Sequence, residues 1–310
     1  MNFRFDRFVT LHLVQPGRRI SEYLRTPRSL IPRRLPILMY HSISEDPEPG
    51  VAPYYRTITA PGRFTEQMRF LKENGYRGVS LREGLTWLRS TESNGQVPDP
   101  INHQPNIKHQ TSNIEHPIVL TFDDGFRDFY TTAYPLLQEL GFSATMFLPT
   151  AFIADHGTHR QFLGRDCLNW DEARELKAAG VEFGSHTVNH PKLTELNWHD
   201  IESEIVNSKS EIEEQLGSVV TSFAYPYAYP LTRKEFGDRL RNLLQAAGYQ
   251  TCVTTRIGFN TAIDDPLKLK RLPINDADDA DFFEAKLDGC YDWASWPQRA
   301  VKGVKALLGH

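Results

Sequence analysis

The chain switches repeatedly between two hydrophobic periods. Ile118, Val119 and Leu120 form an unbroken apolar run that continues through Thr121 and Phe122 and stops at Asp123, Asp124 and Gly125. A run without polar alternation predicts a strand buried on both faces, as in a parallel sheet covered by helices. Short apolar segments over 35–41, 76–81, 144–148, 219–225, 249–254 and 269–274 read as further strands, as does the segment that starts at Val181 and leads to Ser185 and His186. Between them the period lengthens. Phe64, Met68 and Leu71 stand at helical spacing ahead of Gly75, which predicts a helix over 61–74. Further helices are predicted over 82–88, 126–140, 170–179, 198–216 and 236–247, with Asn169 capping the third of these and Gly141, Gly180 and Gly248 at helix ends. Strand and helix therefore alternate along most of the chain, the pattern of an α/β barrel.

Composition adjusts this picture at three places. Residues 1–34 are basic, with Arg4, Arg7, Arg18, Arg19, Arg25, Arg28, Arg33 and Arg34 against Asp6 and Glu22, and form an N-terminal extension. It reads either as a solvated arm or as a patch for peripheral contact with an anionic membrane. Between 90 and 116 apolar residues nearly vanish, which predicts a disordered insertion between strands; His103, His109 and His116 accompany it. Residues 281–310 carry Tyr291, Trp293 and Trp296 and then Arg299, Lys302 and Lys305, read as a C-terminal helical extension packed on the barrel or offering its rings to a ligand. What remains, 35–280, is one domain, a size that suits a single barrel.

A net charge of −4 leaves no footprint for nucleic acid. Cys167, Cys252 and Cys290 are odd in number and widely spaced, so they predict packing thiols and no disulfide framework. No stretch reaches the roughly twenty apolar residues needed to cross a bilayer. Asp6, Arg7 and His12 interrupt the apolar residues of 3–13, so a cytoplasmic protein is expected from the chain as it stands. The sequence leaves the oligomeric state open.

The chemistry gathers at predicted strand ends. Asp123 and Asp124 are adjacent carboxylates that repel each other unless a cation or a donor neutralises at least one. His186 and His190 are four residues apart, a spacing that one helical turn would place on one side. Two imidazoles and a carboxylate from another strand make a three-ligand divalent site with room for water and substrate. Either pattern alone is weak, since Asp-Asp-Gly also occurs in solvated turns and paired histidines are common on surfaces. Together they point to a metal centre.

Thr-Phe-Asp-Asp-Gly at 121–125, Ser-His-Thr-Val-Asn-His at 185–190 and Phe-Ala-Tyr-Pro-Tyr at 223–227 resemble the successive motifs of the polysaccharide deacetylases with a NodB-homology domain, over about residues 35–274. The resemblance implies a distorted (β/α)7-type barrel and metal-dependent hydrolysis of an acetyl group, N-acetyl foremost, on a sugar or polysaccharide. It assigns Asp124, His186 and His190 to the metal, Zn²⁺ first, with Fe, Co, Ni or Mn as alternatives. Asp123 becomes the base and the Tyr227 N–H a donor to the oxyanion. The opening Met39-Tyr40-His41 strand resembles the branch that contains the poly-N-acetylglucosamine deacetylases, in which a histidine here serves as general acid; His41 is the candidate. The sequence departs from the better-known pattern at Ala224, where that pattern places the neighbourhood of an arginine bracing the catalytic aspartate, and Arg271 is the candidate replacement. Many relatives act on exported polymers, in tension with the expected location. Two rival readings share these residues: a metal-dependent hydrolase of another amide or ester, and a non-catalytic carbohydrate-binding relative.

Overall fold

The strands close into a ring. The computed structural model describes residues 4–16, 33–90 and 116–295. Its strands are β1 (Ile37–Tyr40), β2 (Arg77–Val79), β3 (Pro117–Phe122), β4 (Thr145–Leu148), β5 (Gln161–Phe162), β6 (Arg165–Asp166), β7 (Glu182–Ser185), β8 (Ser222–Ala224), β9 (Thr251–Ile257) and β10 (Leu269–Pro273). β5 and β6 form a small antiparallel hairpin. The other eight make one sheet, ordered β1-β10-β9-β8-β7-β4-β3-β2, and β1 also pairs with β3. All these pairings are parallel. β3 takes β2 beside its first half, at Pro117 to Val119, and β4 beside its second, at Thr121 and Phe122. Seven strands thus close the barrel, and β2 is a short wedge at one seam.

Closure divides the core in two. Ile37, Val119, Phe147, Ala224, Val253 and Leu269, one from each of six strands, pack together with Leu81, Leu85 and Leu88 as the lumen. The intervening strand positions, among them Leu38, Ile118, Leu120, Met146, Phe223 and Cys252, pack outward under the helices. Period-two geometry produces this split. It explains why β3 lacks polar alternation: all six of its residues are buried, and the one polar side chain, Thr121, donates to the Leu38 carbonyl. Close packing also dictates Gly184, where a Cβ would sit 2.5 Å from the Phe147 ring and 2.6 Å from Ser222 Oγ.

Around the barrel lie α1 (Phe5–Val9), α2 (Pro61–Glu73), α3 (Leu81–Arg89), α4 (Tyr134–Leu140), α5 (Trp170–Ala178), α6 (Trp198–Leu216), α7 (Lys234–Ala246) and α8 (Ala280–Leu287). Asn169 caps α5 as expected, accepting from the Glu172 N–H at 2.9 Å. The helix predicted over 126–140 is interrupted. A wide turn, Phe129–Ala133, precedes α4. Pro135, in the first turn of α4, lacks an N–H and would clash with a regular turn before it.

The described part of the basic extension is not a solvated arm. Arg4 pairs with Asp6 at 2.5 Å and Asp278 at 3.1 Å, and Arg7 pairs with Asp279 at 2.6 Å. Tyr291 donates to Asp6 at 3.0 Å and Trp293 donates to Thr10 at 2.9 Å. These two rings therefore pack against the N-terminal helix. Arg18, Arg19, Arg25 and Arg28, the insertion residues His103 and His109, and Trp296, Arg299, Lys302 and Lys305 lie outside the described residues. All three cysteines are buried and none forms a disulfide. No described helix is long and apolar enough to cross a membrane.

Candidate active site

Every polar residue singled out at a strand end lies at the C-terminal rim of the barrel, the end where barrel enzymes place their chemistry. Asp123 continues the inward-facing positions of β3 and is 2 % exposed. Arg271, on β10, is 1 % exposed and grips it bidentately, with Nη1–Oδ1 and Nη2–Oδ2 both 2.7 Å. The guanidinium is itself held, since Nε donates to the Thr254 carbonyl at 3.1 Å and Nη1 to Thr121 Oγ1 at 3.3 Å. Burial pushes the Asp123 carboxyl up, but Arg271, with help from His186 and His41, more than reverses this and holds it well below the usual carboxylate range. His41, directly after β1, lies with Nε2 4.0 Å from Asp123 Oδ2.

Asp124 turns the other way. Its φ of 71° is left-handed, and Gly125 follows at 65°. Of the five described non-glycine residues with positive φ, four are Asp124, Thr187, His190 and Tyr227, so backbone strain concentrates at this rim. The His186–His190 segment is a turn and not the helical turn expected from its spacing. Thr187 and His190 have φ of 71° and 52°. Side chains stabilise that conformation in place of helical hydrogen bonds. Thr187 Oγ1 accepts from the His190 N–H at 3.0 Å, and Glu204 of α6 accepts from the Val188 and Asn189 N–H groups at 2.8 and 2.9 Å.

The turn nonetheless brings both rings to Asp124. Asp124 Oδ1 lies 3.5 Å from His186 Nε2 and 3.3 Å from His190 Nε2, and one ligand atom from each residue lies within 4.8 Å of the others. His186 Nδ1 is 2.8 Å from the Ala224 carbonyl, to which it donates, so Nε2 is left with its lone pair toward the carboxylates. Asp124 Oδ1 is buried and makes no hydrogen bond. An anionic oxygen left so costs about 1–3 kcal/mol or more unless a cation meets it. The titration tendencies agree. Burial alone would lower His186, yet Asp124 and Asp123 raise it; burial and the neighbouring His186 push His190 down to about 4. Asp124 is lowered against the effect of its burial, chiefly by His186. One carboxylate oxygen and two imidazole nitrogens, with a deficit of positive charge between them, fit a divalent metal ion.

Tyr227 stands at the edge, 46 % exposed, with its ring 4.6 Å from that of His190. Its φ is 55°, its carbonyl accepts from Thr255 Oγ1 at 3.2 Å, and its N–H has no acceptor among the described residues. Phe162, on the β5–β6 hairpin, places its ring 5.0 Å from His190. Sequence reasoning missed Glu204, Thr255 and Phe162. Only Glu204 left a signal: it interrupts the buried stripe of Ile201, Ile205, Ser208 and Ile212 with a carboxylate.

The arrangement is that of a barrel hydrolase with an acid–histidine centre. Residues 110–252 match the family described as polysaccharide deacetylase. The YxkH protein of Bacillus subtilis is 27 % identical over 239 residues, 77 % of this chain and 69 % of that protein. The poly-β-1,6-N-acetyl-D-glucosamine N-deacetylase of Escherichia coli K12 is 32 % identical over 132 residues, 40 % of this chain and 17 % of that protein. Among solved structures, the Streptococcus pyogenes deacetylase PplD in complex with acetate superposes with a TM-score of 0.63 at 27 % identity, covering 83 % of this chain and 98 % of that one. The closed barrel agrees with the fold that the resemblance implied. His41 and Arg271 both lie outside the matched segment.

Proposed function

We propose that this protein hydrolyses acetyl groups, N-acetyl foremost, on an amino-sugar polysaccharide, with a divalent cation held by Asp124, His186 and His190. The observation that carries the reading is the buried, donor-free Asp124 oxygen facing two imidazole nitrogens at 3.3 and 3.5 Å, next to a second carboxylate that is separately neutralised by Arg271. The activity named for the E. coli relative supports an N-acetylated glucosamine polymer as the substrate class.

The chemistry such a cation supplies when bound is Lewis acidity, which lowers the pKa of a coordinated water to about 7 and polarises an acyl oxygen. Asp123 takes the water proton. Its pairing with Arg271 keeps it ionised and aimed, at the expense of basicity. The Tyr227 N–H, without an acceptor among the described residues, stabilises the oxyanion; losing one such donor typically costs about 3 kcal/mol. His41 protonates the departing sugar amine, which without that proton is a poor leaving group.

Metal content by mass spectrometry and acetate release from N-acetylglucosamine oligomers test the roles together. Asp124→Ala is expected to lose the metal and turnover together. Asp123→Asn is expected to keep the metal and lose about a hundredfold or more in rate. Near-normal deacetylation by metal-loaded Asp123→Asn would overturn the assignment.

A further inference from the structure

His41 has a positional problem. Its imidazole makes no hydrogen bond among the described residues; the nearest charged group is Asp123 Oδ2 at 4.0 Å. A general acid misplaced by about 1 Å can lose two orders of magnitude in rate, so something other than its own ring must fix it. The backbone on either side is anchored. Before it, the Tyr40 carbonyl accepts from the Asp123 N–H at 3.0 Å. After it comes Ser42, fully buried, whose backbone bridges to the 57–59 segment through Ser42 N–Thr57 O at 3.3 Å and Thr59 N–Ser42 O at 3.0 Å.

The Ser42 hydroxyl points elsewhere, donating to Asp128 Oδ2 at 2.5 Å. Ser44 Oγ lies 3.2 Å from the same hydroxyl and can donate to it in turn. Asp128 stands at the start of the helical segment after β3, where an aspartate ordinarily caps the helix by accepting from the N–H groups of the first turn. It makes no such bond. Its other oxygen is buried and has no hydrogen-bond partner. The carboxylate thus forgoes its usual local use and spans 86 residues of sequence to reach the residue after His41.

We propose that Asp128 is a positioning residue for His41: through Ser42 it ties the chain leaving β1 to the chain leaving β3 and so sets the spacing between the proton-donating His41 and the proton-accepting Asp123. The two strand ends are already parallel neighbours at Tyr40 and Phe122, but the ladder ends there. The Asp128–Ser42 bond is the side-chain link that continues it past the two reacting residues. This inference rests on the reading of His41 as general acid.

The test separates acid placement from folding. Metal-loaded wild type, Asp128→Ala, Ser42→Ala, the double variant, Asp128→Asn and His41→Ala are assayed on N-acetylglucosamine oligomers, which need protonation of the amine, and on 4-nitrophenyl acetate, whose leaving group does not. Asp128→Ala and Ser42→Ala are each expected to lower kcat on the oligomers by about tenfold to a hundredfold with little change in KM, and to lower ester hydrolysis by no more than about threefold. The double variant is expected to be no worse than Asp128→Ala, because Ser42 acts through Asp128. Asp128→Asn retains an acceptor for Ser42 and is expected to recover most of the loss. Equal losses on both substrates, or unchanged deacetylation by Asp128→Ala or Ser42→Ala, would overturn the proposal. If Asp128→Ala does not fold, Ser42→Ala, which removes one buried oxygen, decides alone. A substrate split in His41→Ala that is missing from the two clamp variants sinks the clamp only. No split in His41→Ala sinks the acid assignment, and the clamp's purpose with it.

Discussion

Arg271 and Asp123 are each almost wholly buried, and neither charge is tolerable there without the other. Removing one partner of a buried pair commonly costs about 3–5 kcal/mol, because the remaining charge has lost both water and counter-ion. Arg271→Ala is therefore expected to destabilise the protein by about that amount in urea denaturation. The pair also sets a pH dependence. Asp123 has a depressed pKa in the folded state, so its stabilisation is present above the unfolded aspartate value of about 4 and is lost as pH falls through the folded value. The stability gap between wild type and Asp123→Asn is expected to be constant near neutrality and to shrink below about pH 4, read as urea midpoints across a pH series. Arg271 was legible in the sequence only as a substitute for the arginine missing near Ala224. Nothing local to 269–274 says that its side chain crosses the lumen to β3.

At the level of elements, the 186–190 turn shows where periodicity misleads. Four-residue spacing is compatible with a helix, but two left-handed residues and three side-chain hydrogen-bonding groups, Thr187, Asn189 and Glu204, produce a different backbone that serves the same end. Glu204 receives both the Val188 and Asn189 N–H groups and the Asn189 side-chain amide, the last at 2.7 Å. Glu204→Ala is expected to loosen the turn and weaken metal affinity by about tenfold to a hundredfold, the usual effect of losing an outer support. Chelator competition measures this without any assay of turnover. Glu204→Gln, which keeps one acceptor oxygen, should fall between the two. Elements with strong local signals were readable from their residues alone. The capping box at Asn169 and Glu172 and the left-handed Gly141 behind α4 are examples, because caps and glycine conformations are decided within a few residues.

On the scale of the whole molecule, closure between β1 and β3 brings His41, Asp123 and Arg271 to one point from sequence positions more than two hundred residues apart. A second long-range seam joins the two ends of the described chain. Asp278 is fully buried and takes Arg4 at 3.1 Å and Lys286 at 2.8 Å, while Tyr291 reaches Asp6. Burial lowers the Lys286 pKa, an effect that Asp278 partly offsets. Arg4→Ala leaves Asp278 with Lys286 and Asp6 with only the Tyr291 hydroxyl, so a loss of about 1–3 kcal/mol is expected. Differential scanning calorimetry is the measurement. An unchanged melting temperature would mean that the Arg4 ion pairs contribute nothing to stability.

By itself, the order of residues determined what the chain could be made of. Unalternated apolar runs dictate buried parallel strands, helical spacing dictates what covers them, and an acid pair and a histidine pair set after such strands mark where polar chemistry must be accommodated. Tertiary structure alone decided which of those groups meet. Barrel closure, an inward-pointing arginine from the last strand and a turn held by a distant glutamate are consequences of register and packing between segments. The free energy of a buried ion pair or an orphaned carboxylate oxygen exists only once its neighbours from elsewhere in the chain have arrived.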